Sequence, residues 1–243
     1  MKYIILLLLL FNLLFSNNED LTTEEKKWIK ENEIIIGIEQ WYPITYTNKN
    51  HQMDGLISDI FKIIIHKYNL KTKTTSDEWF KLLSQVQKGE IDVIPAVFHT
   101  KDREKKGLFT QTVHQTKDYL FVKDTSNTIS SFNSLKNKKL AIVKDYGTIP
   151  KIKNKFPEIT IVETKSLQES VNLVLNKKVD ALFDAQIVVQ QYLNNSLITG
   201  LKPISQSSFK PSDLYFYSNI KKPILQSILK KGLNSISKQQ KMK

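Results

Sequence analysis

The chain has 243 residues, of which 40% are hydrophobic and 25% charged, a composition that supports one large core or two smaller ones and excludes a disordered chain. It contains no cysteine, which excludes disulfides, zinc–thiolate sites and cysteine nucleophiles. Its formal charge of +12 comes from lysines spread along the whole length, without interleaved aromatics, so we expect a solvated basic surface and no nucleic-acid partner.

The first twenty residues have the pattern of an export signal. Lys2 precedes a mostly apolar segment over residues 4–15, and Ser16 follows as a small residue at a plausible cleavage point. This segment is short for a membrane span, which needs roughly 20 residues. We therefore expect a cleaved signal peptide over residues 1–16 and a periplasmic mature protein, with an uncleaved anchor as the alternative.

Helical and buried-strand patterns alternate through the first half of the chain. The predicted elements are a helix within the N-terminal extension 17–33, a strand over 34–38, helices over 58–70 and 76–89, and a strand over 91–97. Ser58 or Asp59 is the expected cap of the second helix, and Gly89 is expected to end the third. Strands that alternate with helices indicate β-α-β units and a mostly parallel sheet.

The same pattern recurs in the second half. The predicted elements are a strand over 138–145, a helix over 148–156, a strand over 160–164, a helix over 166–178 and a strand over 179–185. Ser166 and Glu169 have the spacing of a capping box. "LLSQVQKGEIDVIPA" and "SVNLVLNKKVDALFD" both place an aspartate between hydrophobic residues, after a helix and a lysine-containing turn. Two lobes of similar construction account for this repetition.

Two polar stretches indicate where the chain crosses between the lobes. Residues 121–134 are rich in Ser, Thr and Asn, and "ISQSSFKPSD" precedes a last strand and helix. We expect a first lobe over 34–124, a second lobe over 125–206, and a return to the first lobe with a C-terminal helix over 207–243. Two open sheets joined in this way form a clamp whose ligand lies in the cleft, beyond the carboxyl ends of the strands.

The order and spacing of these segments resemble a known family. "EIIIGIEQWYPITY", "LLSQVQKGEIDVIPAVFHTKDREKKGLFTQT" and "VNLVLNKKVDALFDAQIVVQQYL" are similar to bacterial extracellular solute-binding proteins of family 3, the periplasmic amino-acid-binding type. The resemblance implies a type II periplasmic-binding-protein fold, α/β, with two lobes of open, mostly parallel sheet flanked by helices. "LTTEEKKWIKENEIIIGI" also resembles the segment that precedes such domains in sensor histidine kinases and diguanylate cyclases.

The resemblance implies two charged ligand contacts. In the family, the arginine of a Thr-x-x-Arg turn holds the ligand's α-carboxylate, and here that residue is Arg103. A guanidinium fork matches a carboxylate in a bidentate manner that a lysine cannot reproduce. Asp184 matches the aspartate that binds the α-ammonium group. The alternatives are a surface arginine paired with Asp102 or Glu104, and an aspartate that caps the following helix.

Five further residues match positions around the family's pocket. Trp41 and Trp79 fall on the stacking aromatics, whose flat faces sandwich a side chain or accept a cation, although core packing is an alternative for Trp79. Glu39 matches an acidic position in binders of basic amino acids. Gly147 and Thr148 precede a predicted helix and are placed to offer backbone amides to an anion.

The chain departs from the family on the strand before the arginine turn. Amino-acid binders usually carry hydroxyl groups there, whereas this chain has Pro95, Ala96 and Phe98. The Pro-Ala pair resembles the sensor-linked members, whose ligands are more varied. The departure weakens the expectation of an α-amino acid but not that of a binding fold.

We therefore expect an exported, monomeric solute receptor without cofactor or metal. It closes on an amino acid or similar small carboxylate and delivers it to an ABC permease. The alternative is the ligand-sensing ectodomain of a sensor kinase or diguanylate cyclase. The four histidines lack metal-ligand spacing, and the sequence has no phosphate loop or nucleophile elbow, so we expect no enzyme. A cyclohexadienyl dehydratase-like enzyme is the remote alternative.

Overall fold

A computed structural model describes residues 20–206 and 209–237. The predicted signal peptide and residues 238–243 lie outside the described residues. The helices are α1 (Thr23–Glu31), α2 (Leu56–Tyr68), α3 (Trp79–Lys88), α4 (Lys101–Glu104), α5 (Ile149–Lys155), α6 (Leu167–Leu175), α7 (Gln186–Asn195) and α8 (Pro223–Ser235), with a 3-10 turn at Phe132–Leu135. The strands are β1 (Glu33–Ile38), β2 (Tyr46–Thr47), β3 (Met53–Asp54), β4 (Lys71–Ser76), β5 (Val93–Phe98), β6 (Gly107–Phe109), β7 (His114–Thr116), β8 (Asp118–Lys123), β9 (Lys139–Val143), β10 (Thr160–Thr164), β11 (Ala181–Ala185), β12 (Leu201–Gln206) and β13 (Ser212–Asn219).

Two sheets of the same construction form the two lobes. The first has the strand order β4-β1-β5-β13-β6, with β7 also paired to β13, and the second has the order β10-β9-β11-β8-β12. In each sheet three strands run parallel, and the fourth strand in the order runs antiparallel to its neighbours. The predicted mostly parallel sheets each include one antiparallel strand, β13 in the first and β8 in the second, which adjoins a crossing between the lobes.

The first crossing lies earlier in the chain than the predicted boundary after residue 124. Strand β8 pairs with β11 and β12 in the second sheet, and only Lys117 separates it from β7 of the first sheet. Leu120, Phe121 and Val122 are fully buried in the second lobe. The polar stretch after them is a loop that follows β8 within the second lobe. The crossing itself is too short to leave a compositional signal.

The repeated aspartates perform the same structural task in both lobes. Asp92 accepts a hydrogen bond from the Ile35 amide at 2.8 Å, and its own amide donates to the Ile35 carbonyl at 2.9 Å. Asp180 makes the same pair of bonds with Lys139, at 2.8 and 2.9 Å. Each aspartate thus joins the start of one strand to its parallel neighbour. The internal repeat in the sequence therefore corresponds to the same pair of hydrogen bonds in each lobe.

The predicted helix-boundary signals are confirmed at Gly89, confirmed in part at Ser166 and wrong for the cap of α2. Thr22 and Glu25 form a capping box that starts α1. Gly89 ends α3 with a φ of 87°, in the left-handed region that favours glycine. The Ser166 hydroxyl caps α6, although the Glu169 carboxylate accepts from the Lys165 amide and so does not complete the box.

Neither Ser58 nor Asp59 caps α2. The helix starts one turn earlier, after Gly55, whose φ is 109°. A Cβ atom on Gly55 would lie 2.7 Å from the Pro43 carbonyl oxygen, so this approach requires glycine. Ser58 is instead buried inside the helix and shares a hydrogen bond of 3.0 Å with Thr45.

Helices α1 and α8 are joined on the outside of the first lobe. The Lys231 ammonium group lies 2.7 Å from the Glu25 carboxylate, whose side chain is 6% exposed. Gly232 allows α8 to pack closely on α2, since a Cβ there would lie 2.6 Å from Ile64. The contact between Glu25 and Lys231 makes helix α1 of the N-terminal extension an integral part of the first lobe. Within the described ranges, none of the helices combines the length and apolar character that a membrane crossing requires.

The two crossings are bonded to each other. Asp118 begins β8 and is 5% exposed. Its carboxylate accepts a hydrogen bond of 2.8 Å from the hydroxyl of Ser212, the first residue of β13. The Thr116 hydroxyl lies 3.4 Å from the second carboxylate oxygen. The strand that enters the second lobe is thus fastened to the strand that returns to the first.

Candidate functional site

Arg103, the only arginine of the chain, lies in the cleft between the lobes. After β5, Thr100 accepts a hydrogen bond of 3.2 Å from the Arg103 amide and starts the short helix α4. The guanidinium group donates to the Phe98 carbonyl at 2.6 Å and to the Asp145 carbonyl of the second lobe at 2.5 Å. The residue is 4% exposed, and this burial lowers its pKa to about 10, so the side chain remains cationic at neutral pH.

The acidic residues beside Arg103 in the sequence have other partners. Asp102 forms an ion pair with Lys106 at 3.1 Å, and Glu104 lies 3.3 Å from the ring nitrogen of His99. None of the ion pairs among the described residues includes Arg103. The alternative of a surface arginine paired with its neighbours is therefore excluded for this conformation. The buried charge has backbone carbonyls as its hydrogen-bond partners.

Both predicted tryptophans face the cleft and are buried, each 3% exposed. Trp41 follows β1 in a turn closed by a hydrogen bond of 2.8 Å from its amide to the Thr45 carbonyl. Trp79 is the first residue of α3, and the guanidinium carbon of Arg103 lies 5.0 Å from its ring centroid, a cation–π distance. Trp41 also meets the Phe98 ring edge-on, with 5.8 Å between centroids.

The two predicted acids form hydrogen bonds across the cleft. Glu39 of the first lobe accepts from the Tyr146 hydroxyl at 3.2 Å, and Asp184 of the second lobe accepts from Trp41 Nε1 at 3.2 Å. Burial, with the nearby charge of Asp184, raises the pKa of Glu39 to about 8, and burial raises the pKa of Asp184 to about 7. Ala185, and not Asp184, is the N-cap residue of α7. In the described part of the chain, no three acidic, histidine or cysteine side chains are placed to hold a metal ion.

Gly147 and Thr148 lie in the turn between β9 and α5, residues 145–148, called the Tyr146 turn below. Gly147 packs against the first lobe so closely that a Cβ atom there would lie 3.0 Å from Thr100 Cγ2 and 3.2 Å from Arg103 Nη1. Thr148 is buried and precedes α5 without a capping hydrogen bond from its side chain. The two residues are thus at the cleft, and their binding of an anion stays a prediction.

Sequence reasoning missed Tyr146, which reaches from the second lobe into the first. Its ring meets three aromatic rings nearly at right angles, with centroid distances of 6.4 Å to Trp41, 6.2 Å to Trp79 and 6.5 Å to Phe98. Its position directly before Gly147 was the available signal. Phe98 had its own signal, because it replaces a residue type usual in the family.

A small cavity, called the aromatic chamber below, remains where these side chains meet. Its volume is about 10 Å³, close to the minimum that holds one water molecule. It is lined by Glu39, Trp41, Trp79, Ala96, Phe98 and Tyr146. Next to it lies a larger cleft of about 500 Å³, which both lobes line and which has Arg103 among its lining residues. The predicted site residues thus lie around one place in the cleft, and the ring of Tyr146 occupies the space beside Trp41 and Trp79.

The fold and the site can be compared with known proteins. The family model described as bacterial extracellular solute-binding proteins, family 3, matches residues 34–243. The chain belongs to this family. The resemblance predicted from the sequence is therefore confirmed.

Curated relatives of this family 3 chain include sensors and a binding protein. The sensor protein EvgS of Escherichia coli (strain K12) is 28% identical over 237 residues, which cover 93% of this chain and 19% of EvgS. The chain thus spans about a fifth of the length of that sensor. A Haemophilus influenzae protein named "Probable amino-acid ABC transporter-binding protein" is 24% identical over 177 residues, which cover 71% of this chain and 67% of that protein.

A solved structure supports the fold directly. The crystal structure of the Bordetella pertussis BvgS periplasmic VFT2 domain matches with a TM-score of 0.81 and 20% identity, over 90% of this chain and 95% of that chain. The similarity covers both lobes. It confirms the predicted type II periplasmic-binding-protein fold of this family 3 chain.

Proposed function

We propose that this family 3 chain is a periplasmic ligand-sensing domain whose lobes open and close around a small solute that carries a carboxylate. Arg103 carries this proposal, because its charge lies buried in the cleft with backbone carbonyls as partners. A solute carboxylate can replace the Asp145 carbonyl and accept from both arms of the guanidinium group. Glu39 and Asp184 offer acceptors for an ammonium group, so an amino acid is the solute class we expect.

Sensing is favoured over uptake by the extent of similarity. The alignment with EvgS covers 93% of this chain, whereas the alignment with the Haemophilus influenzae protein covers 71%. A sensor requires two states that a solute stabilises unequally. The hydrogen bonds across the cleft stabilise a closed state, and opening of the lobes would break these bonds. Delivery of the solute to an ABC permease is the second candidate, which the similarity to the Haemophilus protein supports. The proposal includes no catalytic activity and no cofactor.

Isothermal titration with a panel of amino acids and small carboxylates tests the site. We expect one class to bind the wild type and Lys101→Ala equally, since Lys101 is exposed on the same short helix. Arg103→Lys should bind that class at least about tenfold more weakly, because a lysine cannot make the bidentate contact. Equal affinity in Arg103→Lys, or no binding by any carboxylate in the panel, would overturn the assignment.

A deletion strain separates sensing from uptake. For a sensor, the deletion should abolish the transcriptional response to the solute and leave uptake of the labelled solute unchanged. For an uptake receptor, the deletion should lower uptake of the labelled solute. Complementation with the wild type and with Arg103→Lys shows whether either phenotype depends on the proposed site.

A further inference from the structure

The Tyr146 turn occupies the cleft in the manner of a bound solute. Its Asp145 carbonyl accepts hydrogen bonds from Arg103 Nη2 at 2.5 Å and from Trp79 Nε1 at 3.3 Å. A carbonyl oxygen of the second lobe therefore stands at the guanidinium group, where the proposed function places a solute carboxylate. The polar end of the site is filled by the protein's own backbone.

The apolar end of the site is filled by the ring of Tyr146. The ring lies among Trp41, Trp79 and Phe98, and the residue is 6% exposed. Its hydroxyl group donates to Glu39 Oε1 at 3.2 Å. The aromatic chamber that remains has a volume of about 10 Å³, which leaves no space for an amino acid. One segment of the second lobe thus supplies a carbonyl, a flat ring and a hydroxyl to matching groups on the first lobe.

The chain is adapted to this close approach at Gly147. A Cβ atom on Gly147 would lie 3.0 Å from Thr100 Cγ2 and 3.3 Å from Phe98 Cβ, both closer than ordinary contact. A side chain at this position would require the Tyr146 turn or its neighbours in the first lobe to shift by a few tenths of an ångström. The turn therefore combines Tyr146, whose ring lies among the aromatic rings of the first lobe, with Gly147, which permits the close approach of the turn to that lobe.

We propose that Tyr146 and the Asp145 carbonyl act as a built-in ligand that holds the clamp closed in the absence of solute. The inference rests on the proposed function, since both use the same cleft. A solute that takes this site must displace the Asp145 carbonyl from Arg103 and the Tyr146 ring from among Trp41, Trp79 and Phe98. Binding therefore begins from an open minor state, and its affinity is reduced by the population of that state. Without the ring, the chamber becomes a cavity for a small phenol, which carries the same aromatic face and hydroxyl donor.

Small-angle X-ray scattering of solute-free protein provides the first test. The wild type is unfolded in guanidinium chloride, dialysed to remove any carried solute and refolded. We expect it to return to the compact, closed dimensions, and we expect Tyr146→Ala to show a larger radius of gyration. Tyr192→Ala is the matched control, because Tyr192 lies in the same lobe and away from the cleft.

Phenol provides the second test. Phenol should bind Tyr146→Ala at least about tenfold more tightly than it binds the wild type or Tyr192→Ala, and it should restore the compact dimensions of Tyr146→Ala. Gly147→Ala should open the refolded protein in part while the Tyr146 ring is retained. It serves as the second variant if Tyr146→Ala does not refold.

The outcomes separate this inference from the proposed function. An open wild type after refolding, or phenol binding that is equal in Tyr146→Ala and the wild type, would overturn the built-in ligand even if the panel identifies a carboxylate solute. Phenol-dependent closure of Tyr146→Ala would support it even if the panel identifies none. If Gly147→Ala is as compact as the wild type, close contact between the Tyr146 turn and the first lobe is not needed for closure, which would count against the inference.

Discussion

Trp41 and Asp184 join the two lobes directly, through a hydrogen bond of 3.2 Å from the indole nitrogen to the Asp184 carboxyl group. Both residues are buried, at 3% and 4% exposure. The second hydrogen bond of this carboxyl group comes from the Ala185 amide of its own lobe. Within the part of the chain that the structure describes, Trp41 is the residue of the first lobe that donates a hydrogen bond to Asp184, so closure of the clamp is coupled to this bond.

Trp41→Phe should weaken closure while it preserves the ring contact with Phe98. The variant removes the indole donor and leaves Asp184 less well satisfied, a loss of about 1–3 kcal/mol for the closed state. Scattering and thermal unfolding measure the effect. Trp28→Phe is the control, because Trp28 lies on α1 outside the cleft. Equal changes in the two variants would show that the cross-lobe bond contributes nothing specific.

Closure should depend on pH. The pKa of Glu39 is raised by burial from 4.5 to about 8, and that of Asp184 from 3.8 to about 7, whereas opening returns both groups to water. A closed state with raised pKa values binds more protons than the open state. Protonation therefore stabilises the closed state fully below the ordinary pKa values of the two acids. This stabilisation is lost as pH rises through about 7 for Asp184 and about 8 for Glu39.

Scattering between about pH 5 and about pH 9 checks this expectation. The wild type should be most compact at the acidic end and should open towards the basic end. Arg103 and Tyr146 also face Glu39, and neither loses its charge state in this window. Glu39→Gln should flatten the profile, since the amide does not titrate. A profile that is the same in both proteins would exclude Glu39 as its source.

Tyr217→Phe should loosen the support of the arginine turn. The Tyr217 hydroxyl is buried and donates to the Arg103 carbonyl at 2.9 Å. Loss of one such bond should lower the free energy of unfolding by about 1 kcal/mol, measured by denaturant titration. Tyr215→Phe, two residues away on the same strand, should be close to neutral because its ring is partly exposed. A larger loss in Tyr215→Phe would contradict this assignment.

Lys231→Met should destabilise the first lobe through the extension helix. The methionine keeps the apolar stem but leaves the buried Glu25 carboxylate without its cation, which lies at 2.7 Å. We expect a loss of about 1–2 kcal/mol in the free energy of unfolding. Lys230→Met is the matched control, since Lys230 is exposed. If both variants unfold alike, the link between α1 and α8 does not stabilise the protein.

Much of the fold followed from local patterns. Buried strands and amphipathic helices were predictable because their apolar spacing is written in consecutive residues. Strand β4, "KTKTTS", was not predictable in this way. It lies at the edge of the first sheet and pairs with β1 alone, so it needs few apolar residues. Its position depends on hydrogen bonds to β1, which the sequence of β4 does not record.

The residues of the candidate site were likewise predictable only where a local sequence pattern marked them. Arg103 and Trp41 were predictable because a single arginine and an aromatic loop stand out beside predicted strands. Tyr146 was not, because its role depends on how one lobe closes on the other. Its partner Glu39 lies more than a hundred positions earlier in the chain. That distance exceeds what any pattern of neighbouring residues conveys.

The bond between Asp118 and Ser212 sets the kind of motion that the lobes can make. The Ser212 hydroxyl at the start of β13 donates to the Asp118 carboxylate at the start of β8 at 2.8 Å, so the bond resists sliding of one crossing past the other. We expect this link to favour rotation of the lobes about an axis through the two crossings over translation between them. A solute, a proton on Glu39 and a substitution at Tyr146 would then all act on one coordinate, the opening angle. Their effects could be compared on a single energy scale.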